Sequence, residues 1–322
     1  MTIETLPQFA LLKISGADAG SFLQGQLTND VFQLGSVMDS IPGEEAIKDS
    51  ASRKTPGWQL SAYCNPKGRT LALFYLWKQG DDFFALLDRD LVKPISDRLR
   101  MFVLRSQVTI EMLSEASICG GASSDAVADL KLPELRLNQV QHGDLLISAG
   151  VSILIVNARV LVVDPQGHEP AISDSNQKGT RWMSADIEEG IPHLGAGTSE
   201  LFIPQMLNLD LLNGISFNKG CYTGQEIVAR MHYLGNLKQR MFRTTIQSIN
   251  EPKTEIIYQS ADKVFADPEL SKPVGHLVNV QGDRALAVLR LHSIENPLYL
   301  QAGTSLQVDI SQPYPLEHIS GG

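Results

Sequence analysis

Length, composition and charge exclude several classes of protein at the outset. The chain has 322 residues, of which 43% are hydrophobic and 20% are charged, and these proportions are typical of a globular protein of two or three domains. The formal net charge of −9 argues against a general binder of nucleic acids. No apolar run approaches the roughly 20 residues of a membrane span, and the N-terminus lacks the features of a secretion signal. We therefore expect a cytoplasmic protein that does not enter a membrane.

The N-terminal part of the chain predicts a strand, a helix and a loop. Residues 9–14 form the apolar run of a strand, and Ser15-Gly16-Ala17-Asp18 has the Ser-x-x-acid pattern that opens a helix. We expect this helix to end near Asn29. Residues 36–57 are polar and interrupted by Pro and Gly, which predicts a mobile loop.

The middle of the chain alternates further strands with one amphipathic helix. Residues 71–77 and 83–87 predict a hairpin, because a turn rich in Gly and Asp separates the two apolar runs. Apolar residues recur every three or four positions over 91–102, which predicts a helix with Pro94 near its first turn. This mixture favours an α+β fold over a regular repeat of βαβ units. Four further strand-like runs lie at 108–112, 145–149, 152–156 and 160–163.

The pattern changes after residue 242. Short strand-like runs separated by turn residues then predict a small all-β barrel or sandwich. We therefore expect an α+β region over residues 1–242 and a separate β domain over residues 243–322. The predicted strands of this domain lie at 244–249, 274–280, 285–291 and 305–310.

Residues 214–230, GISFNKGCYTGQEIVAR, are the most informative stretch of the chain. The four residues from Thr223 to Glu226 fit a capping box, and an apolar face follows, so a helix is expected to begin just after Cys221. The positive end of the helix dipole and the neighbouring Lys219 would both favour the thiolate of Cys221. A buried structural cysteine in a glycine-rich turn explains the same pattern equally well, and both interpretations stay open.

A local excess of positive charge surrounds this stretch. Residues 219–243 carry five basic residues against one acid in a chain that is acidic overall. Such a window suits a carboxylate or phosphate ligand. A solvated helix face is an equally good explanation for any one of these residues. The basic residues of the window are Lys219, Arg230, Lys238, Arg240 and Arg243.

The remaining signals are weaker. The cysteines Cys64, Cys119 and Cys221 have no C-x-x-C spacing and the histidines have no metal-ligand spacing, so the sequence predicts neither a disulfide framework nor a metal site. Dinucleotide-binding, P-loop and α/β-hydrolase motifs are absent. Residues 63–69 favour a turn over an anion site, and a lone tryptophan such as Trp182 more often belongs to a core than to a stacking platform.

Residues 219–226, KGCYTGQE, resemble the K-G-C-Y-x-G-Q-E signature of the YgfZ family. This family comprises folate-binding relatives of the T-protein, the aminomethyltransferase of the glycine cleavage system. An eight-residue match is far more specific than a motif of two glycines. Supporting stretches extend the resemblance over nearly the whole chain, at 14–18, 22–30, 65–69, 202–205, 208–209 and 274–275.

The resemblance implies a T-protein-like α+β fold, with two interleaved α+β domains around a central folate site and a C-terminal β-barrel. It implies tetrahydrofolate or a related folate as the cofactor. It also implies a role in maintaining iron–sulfur enzymes, including those that modify tRNA. The family's functional cysteine carries over to Cys221, which we expect to act as a nucleophile or redox thiol rather than as a permanent cluster ligand. The residues expected to bind the folate are Phe9, Trp182, Lys219, Tyr222, Gln225, Glu226 and Arg230.

Two alternative functions stay open beside this one. The first is a folate-dependent aminomethyltransferase, but the Asp that follows the glycine turn in the T-protein has no counterpart in residues 69–74, which contain no carboxylate. The second is a direct tRNA-binding module that uses the basic window, against which the acidity of the whole chain counts. The sequence leaves open whether the protein is an enzyme.

Overall fold

The computed structural model describes the chain as two compact units, each built from segments that are distant in sequence. Most of the predicted mobile loop over residues 36–57 lies outside the described residues, which include only 38–39 and 55–57 of it. The described residues are 3–35, 38–39, 55–122, 140–168, 179–248, 257–301 and 304–309. The first unit consists of Met1–Tyr63, Ala72–Trp182 and Asn218–Tyr222, and the second of Cys64–Leu71, Met183–Phe217 and Thr223–Gly322.

Strands dominate both units. The described helices are α1 (Ala19–Gln24), α2 (Arg89–Arg100), α3 (Thr180–Glu189) and α4 (Gln225–Tyr233). The described strands are β1 (Glu4–Thr5), β2 (Phe9–Ser15), β3 (Met38–Asp39), β4 (Trp58–Cys64), β5 (Thr70–Gln79), β6 (Asp82–Asp88), β7 (Thr109–Leu113), β8 (Ser117–Ala122), β9 (Leu145–Ser148), β10 (Val151–Val156), β11 (Arg159–Asp164), β12 (Gln239–Ser248), β13 (Lys263–Phe265), β14 (Pro273–Gln281), β15 (Arg284–Arg290), β16 (Leu298–Gln301) and β17 (Thr304–Val308).

The strands before residue 165 form two sheets. One has five strands in the order β4-β5-β6-β2-β7, and the other has six in the order β1-β8-β11-β10-β9-β3. The predicted hairpin is confirmed as β5 and β6, where Gln79 pairs with Asp82 and Gly80 adopts the positive φ of 61° that such a tight turn requires.

Two buried tryptophans connect these sheets. The indole N–H of Trp58 donates to the carbonyl oxygen of Ile155 at 3.1 Å, and that of Trp77 donates to the hydroxyl of Ser152 at 3.0 Å. Each ring therefore buries a large apolar surface without leaving its single donor unsatisfied.

The two predicted helices of this region differ in outcome. The helix predicted over 91–102 is confirmed as α2, whose apolar face at Leu91, Ile95 and Leu99 is buried. The helix predicted to run to Asn29 is shorter, because α1 ends at Gln24. The expected capping box is also wrong, since the Asp18 carboxylate accepts a hydrogen bond from the backbone N–H of Gln107 at 2.7 Å instead of capping α1.

The strands after residue 238 form a closed barrel in the order β12-β15-β14-β13-β16-β17. The long strand β12 closes the barrel by pairing with both β15 and β17. The barrel core is lined by aliphatic side chains such as Leu277, Leu289 and Leu298. The predicted C-terminal β-barrel and the α+β class are therefore confirmed. Within the described part of the chain, no helix has the length and apolar character needed to cross a bilayer.

Candidate functional site

The signature stretch passes from one unit to the other. Asn218–Tyr222 belongs to the first unit, whereas the second unit resumes at Thr223. Helix α4 begins at Gln225, as the apolar pattern predicts, but its N-cap is Gly224, and no side chain caps it. The capping box predicted at Thr223 is thus absent, and the backbone turn at Gly224 defines the start of the helix.

Gly224 is required by two independent constraints. Its φ of 83° lies in the left-handed region, and a Cβ atom at this position would lie 2.5 Å from the carbonyl oxygen of Asn65. Gly68 packs just as tightly, because its Cβ would lie 2.8 Å from that of Ile227. The turn at 65–69 and Gly224 of the signature, both in the second unit, therefore meet through close backbone contact.

The stretch at 65–69 is a hydrogen-bonded turn, as its composition predicts. The Asn65 side chain accepts from the backbone N–H groups of Lys67 and Arg69 at 2.9 and 3.0 Å. The Arg69 guanidinium donates to the carbonyl oxygen of Leu201 at 2.6 Å. This cation therefore holds the backbone of the second unit in place.

Lys219 is enclosed by backbone carbonyl groups of the first unit. Its Nζ atom lies 2.7, 2.6 and 2.9 Å from the carbonyl oxygens of Gln24, Leu27 and Asn29. We call this arrangement the Lys219 cage. An ammonium group has three N–H donors, so all of them are occupied. Burial lowers the pKa of Lys219 to about 8, and the charge of Asp30 opposes this shift.

Cys221 differs from the other two cysteines in accessibility. Cys221 is exposed, whereas Cys64 and Cys119 are buried. Burial raises the pKa of both buried thiols to about 12, so these thiols stay protonated and inaccessible. Of the two interpretations left open by the sequence, the structure removes the buried structural cysteine.

The aromatic residues expected to bind the folate lie in the core of the first unit. Phe9 is 1% exposed, and its ring contacts Tyr75 edge to face, with 6.3 Å between centroids. Trp182 is 2% exposed. The guanidinium of Arg159 lies 4.2 Å from the centroid of its ring, and a Cβ at Gly120 would lie 2.5 Å from the same ring.

One polar atom of Trp182 has no hydrogen-bond partner in the described part of the chain. Its Nε1 atom is buried, and no acceptor among the described residues bonds it. The backbone N–H of Trp182, in contrast, donates to the Glu4 carboxylate at 2.5 Å. A buried unsatisfied donor of this kind is costly, and an acceptor on a bound ligand would satisfy it.

The other predicted folate-binding residues lie in and after the signature. Tyr222 is half-buried, and its ring centroid lies 5.1 Å from Nζ of Lys219. Gln225 is the first residue of α4, and Glu226 and Arg230 are exposed on the same helix. The assignment of these residues to folate binding stays a prediction.

The basic window is largely neutralised by the fold. Arg240 forms a bidentate pair with Asp210, with N–O distances of 2.7 and 2.8 Å. Arg243 pairs with Asp309 at 2.6 Å and also with Glu188 at 3.6 Å. With Lys219 caged, Arg230 and Lys238 are the exposed cations of the window. Two cations offer much less to a polyphosphate than the five that the sequence suggested.

A buried polar group of the second unit was missed by sequence reasoning. Nε2 of His193 lies 2.6 Å from the Asp186 carboxylate. The backbone of His193 exchanges two hydrogen bonds with the Asn279 side chain, at 2.9 and 3.0 Å. These contacts fasten the chain after α3 to strand β14 of the barrel. Because the partners follow no motif spacing, no sequence signal could have identified them.

Comparison with solved structures defines the fold class. The crystal structure of the glycine cleavage system aminomethyltransferase T from Bartonella henselae matches with a TM-score of 0.65, covering 97% of this chain and 85% of that chain at 12% sequence identity. The protein therefore has the fold of the aminomethyltransferase T-proteins. The family described as “CAF17, C-terminal beta-barrel domain” matches residues 239–315.

Sequence relatives define the family more narrowly. “tRNA-modifying protein YgfZ” of Serratia proteamaculans is 31% identical over 254 residues, which cover 75% of this chain and 70% of the relative. The protein of the same name from Escherichia coli O157:H7 is 32% identical over 257 residues, covering 76% and 72%. An uncharacterized protein of Haemophilus influenzae is 32% identical over 300 residues, covering 91% and 90%. The chain belongs to the YgfZ family, which confirms the resemblance seen in the signature.

Proposed function

We propose that this protein binds tetrahydrofolate or a related folate and supports the assembly or repair of iron–sulfur enzymes, including enzymes that modify tRNA. The observation that carries the proposal is the exposure of Cys221 within the family signature, while both other cysteines are buried. The tRNA-modification context comes from the names of the relatives. The folate comes from the family resemblance and agrees with the aminomethyltransferase fold.

The thiol chemistry follows from this difference in accessibility. A thiolate at the protein surface can attack a one-carbon unit or exchange with a sulfur atom of a partner protein. A permanently bound iron–sulfur cluster needs four ligands. The thiols of Cys64 and Cys119 are buried and therefore cannot serve as ligands at the surface beside Cys221. Cys221 therefore acts in this proposal as a nucleophile or redox thiol.

The surroundings of Trp182 bear on whether this chain can bind a folate. A pteridine presents carbonyl and ring-nitrogen acceptors, and the unpartnered N–H of Trp182 is a buried donor of the kind that would bind one. The three donors of Lys219 are already engaged, so this ammonium has no N–H group left for a carboxylate of the folate tail. When bound, the folate would supply a carrier for one-carbon units.

A complementation experiment tests the role of the thiol. In bacterial cells that lack their own YgfZ protein, the wild-type chain should restore the tRNA modifications made by iron–sulfur enzymes, measured by mass spectrometry of tRNA nucleosides. Cys221→Ser should fail, whereas the matched control Cys119→Ala should succeed, provided both variants accumulate to equal levels. Restoration by Cys221→Ser would refute the thiol role.

A titration tests the ligand. Tetrahydrofolate should quench the intrinsic tryptophan fluorescence of the wild-type protein. Trp182→Phe keeps the apolar ring but removes the indole N–H, so it should weaken binding by about tenfold. Trp58→Phe is the matched control, because the Trp58 indole already bonds Ile155. Equal affinities of wild type and Trp182→Phe would remove this residue from the folate site.

A folate-dependent aminomethyltransferase is the second candidate, because the T-protein fold favours it. Residues 69–74 provide no carboxylate to activate the folate amine, which counts against it. An assay of one-carbon transfer from an aminomethyl-lipoyl protein decides between the two, since turnover at a rate typical of enzymes would establish this alternative.

A further inference from the structure

The carbonyl groups of the Lys219 cage are available for a structural reason. Helix α1 ends at Gln24. The last carbonyl groups of a helix receive no hydrogen bond from an N–H group of the same helix, so their oxygens can accept one from elsewhere. The chain then turns through residues 25–29, so the carbonyl oxygens of Gln24, Leu27 and Asn29 converge on Nζ of Lys219.

The turn that forms the cage is held by bonds that do not involve Lys219. Nε2 of Gln24 donates to the Asp30 carboxylate at 2.9 Å, and the backbone N–H of Phe32 donates to the same oxygen at 3.1 Å. The Asn29 side chain donates to the carbonyl oxygen of Leu60 in β4 at 2.9 Å. The three acceptors are therefore preorganised by the first unit.

The segment that carries Lys219 is short and contains Cys221. It comprises the five residues Asn218–Tyr222, which the first unit includes although they lie far along the chain from its other segments. Within it, Gly220 is exposed, and a Cβ at this position would contact nothing within 4 Å. The partners of Lys219 lie 190 to 195 residues away in sequence.

We propose that Lys219 is a positioning residue, whose ammonium group fastens the Asn218–Tyr222 segment to the turn at residues 24–29 and thereby fixes the place of the Cys221 thiol. The proposal deepens the proposed function, because it gives the charged residue of the signature a task in presenting the thiol. It assigns Lys219 to the protein's own backbone and not to an anionic ligand.

The protonation of Lys219 is linked to this attachment. A neutral amine donates at most two hydrogen bonds and turns its lone pair toward the third carbonyl oxygen. Among the described residues, Lys219 also faces the Asp30 carboxylate and the Tyr222 ring. Burial lowers the pKa of Lys219 to about 8 in the attached segment, whereas a detached lysine in solvent keeps its ordinary value of 10.5. Raising the pH from 8 to 10.5 should therefore favour the attached state.

A spin label on Cys221 measures the attachment directly. A nitroxide reagent should label the exposed Cys221 and leave the two buried thiols unmodified. In wild-type protein at pH 7 the spectrum should show restricted motion, and in Lys219→Met it should show fast motion. Hydrogen exchange at residues 24–30 and 218–222 should rise about tenfold in this variant, as expected for the loss of charge-assisted hydrogen bonds. The matched control Lys238→Met, at an exposed lysine, should match the wild type.

Chemical rescue distinguishes a local role of the Lys219 cage from a general effect of the substitution on folding. In Lys219→Ala, ethylammonium ions should occupy the three carbonyl oxygens and restore slow exchange at residues 24–30. Tetramethylammonium has no N–H donor and should restore nothing. The wild-type label should stay restricted as the pH rises from 8 towards 10.5, because the lowered pKa of Lys219 favours the attached state over this window.

Two results would overturn the proposal. One is a restricted label with wild-type exchange in Lys219→Met. The other is faster exchange spread equally over the barrel strands, or a loss of folding that ethylammonium does not reverse, since Lys219 would then support the whole fold. These experiments use purified protein without folate or cluster enzymes, so their failure is distinguishable from failure of the complementation experiment with Cys221→Ser.

Discussion

The Lys219 cage of the first unit and the Arg240–Asp210 pair of the second unit join distant segments by different physical means. In the cage, one cation meets three uncharged carbonyl oxygens. In the pair, a guanidinium meets a carboxylate through two parallel hydrogen bonds, with both side chains 14% exposed. Both cations come from one basic window of the sequence. The comparison teaches that positive charge near a signature cysteine can serve the backbone rather than a ligand.

The largest expected effect concerns the pair. Asp210→Ala leaves the guanidinium of Arg240 without its carboxylate, so the free energy of unfolding should fall by about 3 kcal/mol. Urea unfolding followed by circular dichroism measures this loss. Asp283→Ala, at an exposed residue of the same unit, is the control and should change the free energy by less than about 0.5 kcal/mol. Equal losses in both variants would show that the pair does not stabilise the fold.

A substitution at Gly224, the N-cap of α4, tests how much the close backbone contact in the second unit contributes to stability. Gly224→Ala must place a Cβ atom 2.5 Å from the carbonyl oxygen of Asn65 at a φ of 83°, and the free energy of unfolding should therefore fall by about 2 kcal/mol. In the control Gly220→Ala, the new methyl group meets nothing within 4 Å. If both alanine variants unfold at the same urea concentration, the close contact between residues 65–69 and Gly224 does not contribute to the free energy of unfolding.

Replacing the caged lysine should cost less than breaking the pair. Lys219→Met removes a buried charge together with its three hydrogen bonds, and it leaves uncharged carbonyl groups behind. The free energy of unfolding should therefore fall by only about 1 kcal/mol. Urea unfolding of Lys219→Met and Asp210→Ala tests which variant loses more free energy of unfolding. A larger loss in Lys219→Met would contradict the expectation that breaking the Arg240–Asp210 pair costs more than removing the caged lysine.

The dependence of stability on pH distinguishes the two regions further. The pKa of Lys219 is lowered from 10.5 to about 8 in the folded protein, so between these values the unfolded chain binds more protons than the folded one. The free energy of unfolding should therefore gain a contribution that rises with pH over this window. Lys219→Met should lack the contribution, and Asp210→Ala should retain it. Parallel slopes in all three proteins would contradict the lowered pKa.

The smallest expected effect on stability belongs to the thiol of Cys221. Because Cys221 is exposed, Cys221→Ser should change the free energy of unfolding by less than about 0.5 kcal/mol. Cys119→Ser should lower it by about 1 to 3 kcal/mol, since a hydroxyl group would be buried in β8. A strongly destabilised Cys221→Ser protein would mean that this thiol contributes to packing as well as to chemistry.

Elements with a strong local pattern were predicted well. Helix α2 and the hairpin of β5 and β6 follow from periodicity and turn composition, and the four predicted barrel strands, which were short runs separated by turn residues, overlap β12, β14, β15 and β17. Strands β13 and β16 were missed because three or four residues are too few for a period to emerge. The predicted end of α1 was wrong, because the carbonyl groups beyond Gln24 bind Lys219 instead of continuing the helix.

The sequence alone determined the family and the class of fold and marked Cys221 as the candidate thiol, because an eight-residue signature and local periodicity are properties of neighbouring residues. Tertiary structure decided what each charge in the basic window does. The partners of Lys219 and Arg240 are contributed by remote segments. No local sequence pattern indicates which segments will contact these two cations. Burial likewise separated the accessible thiol of Cys221 from the two inaccessible ones, since solvent exposure depends on the packing of the whole unit.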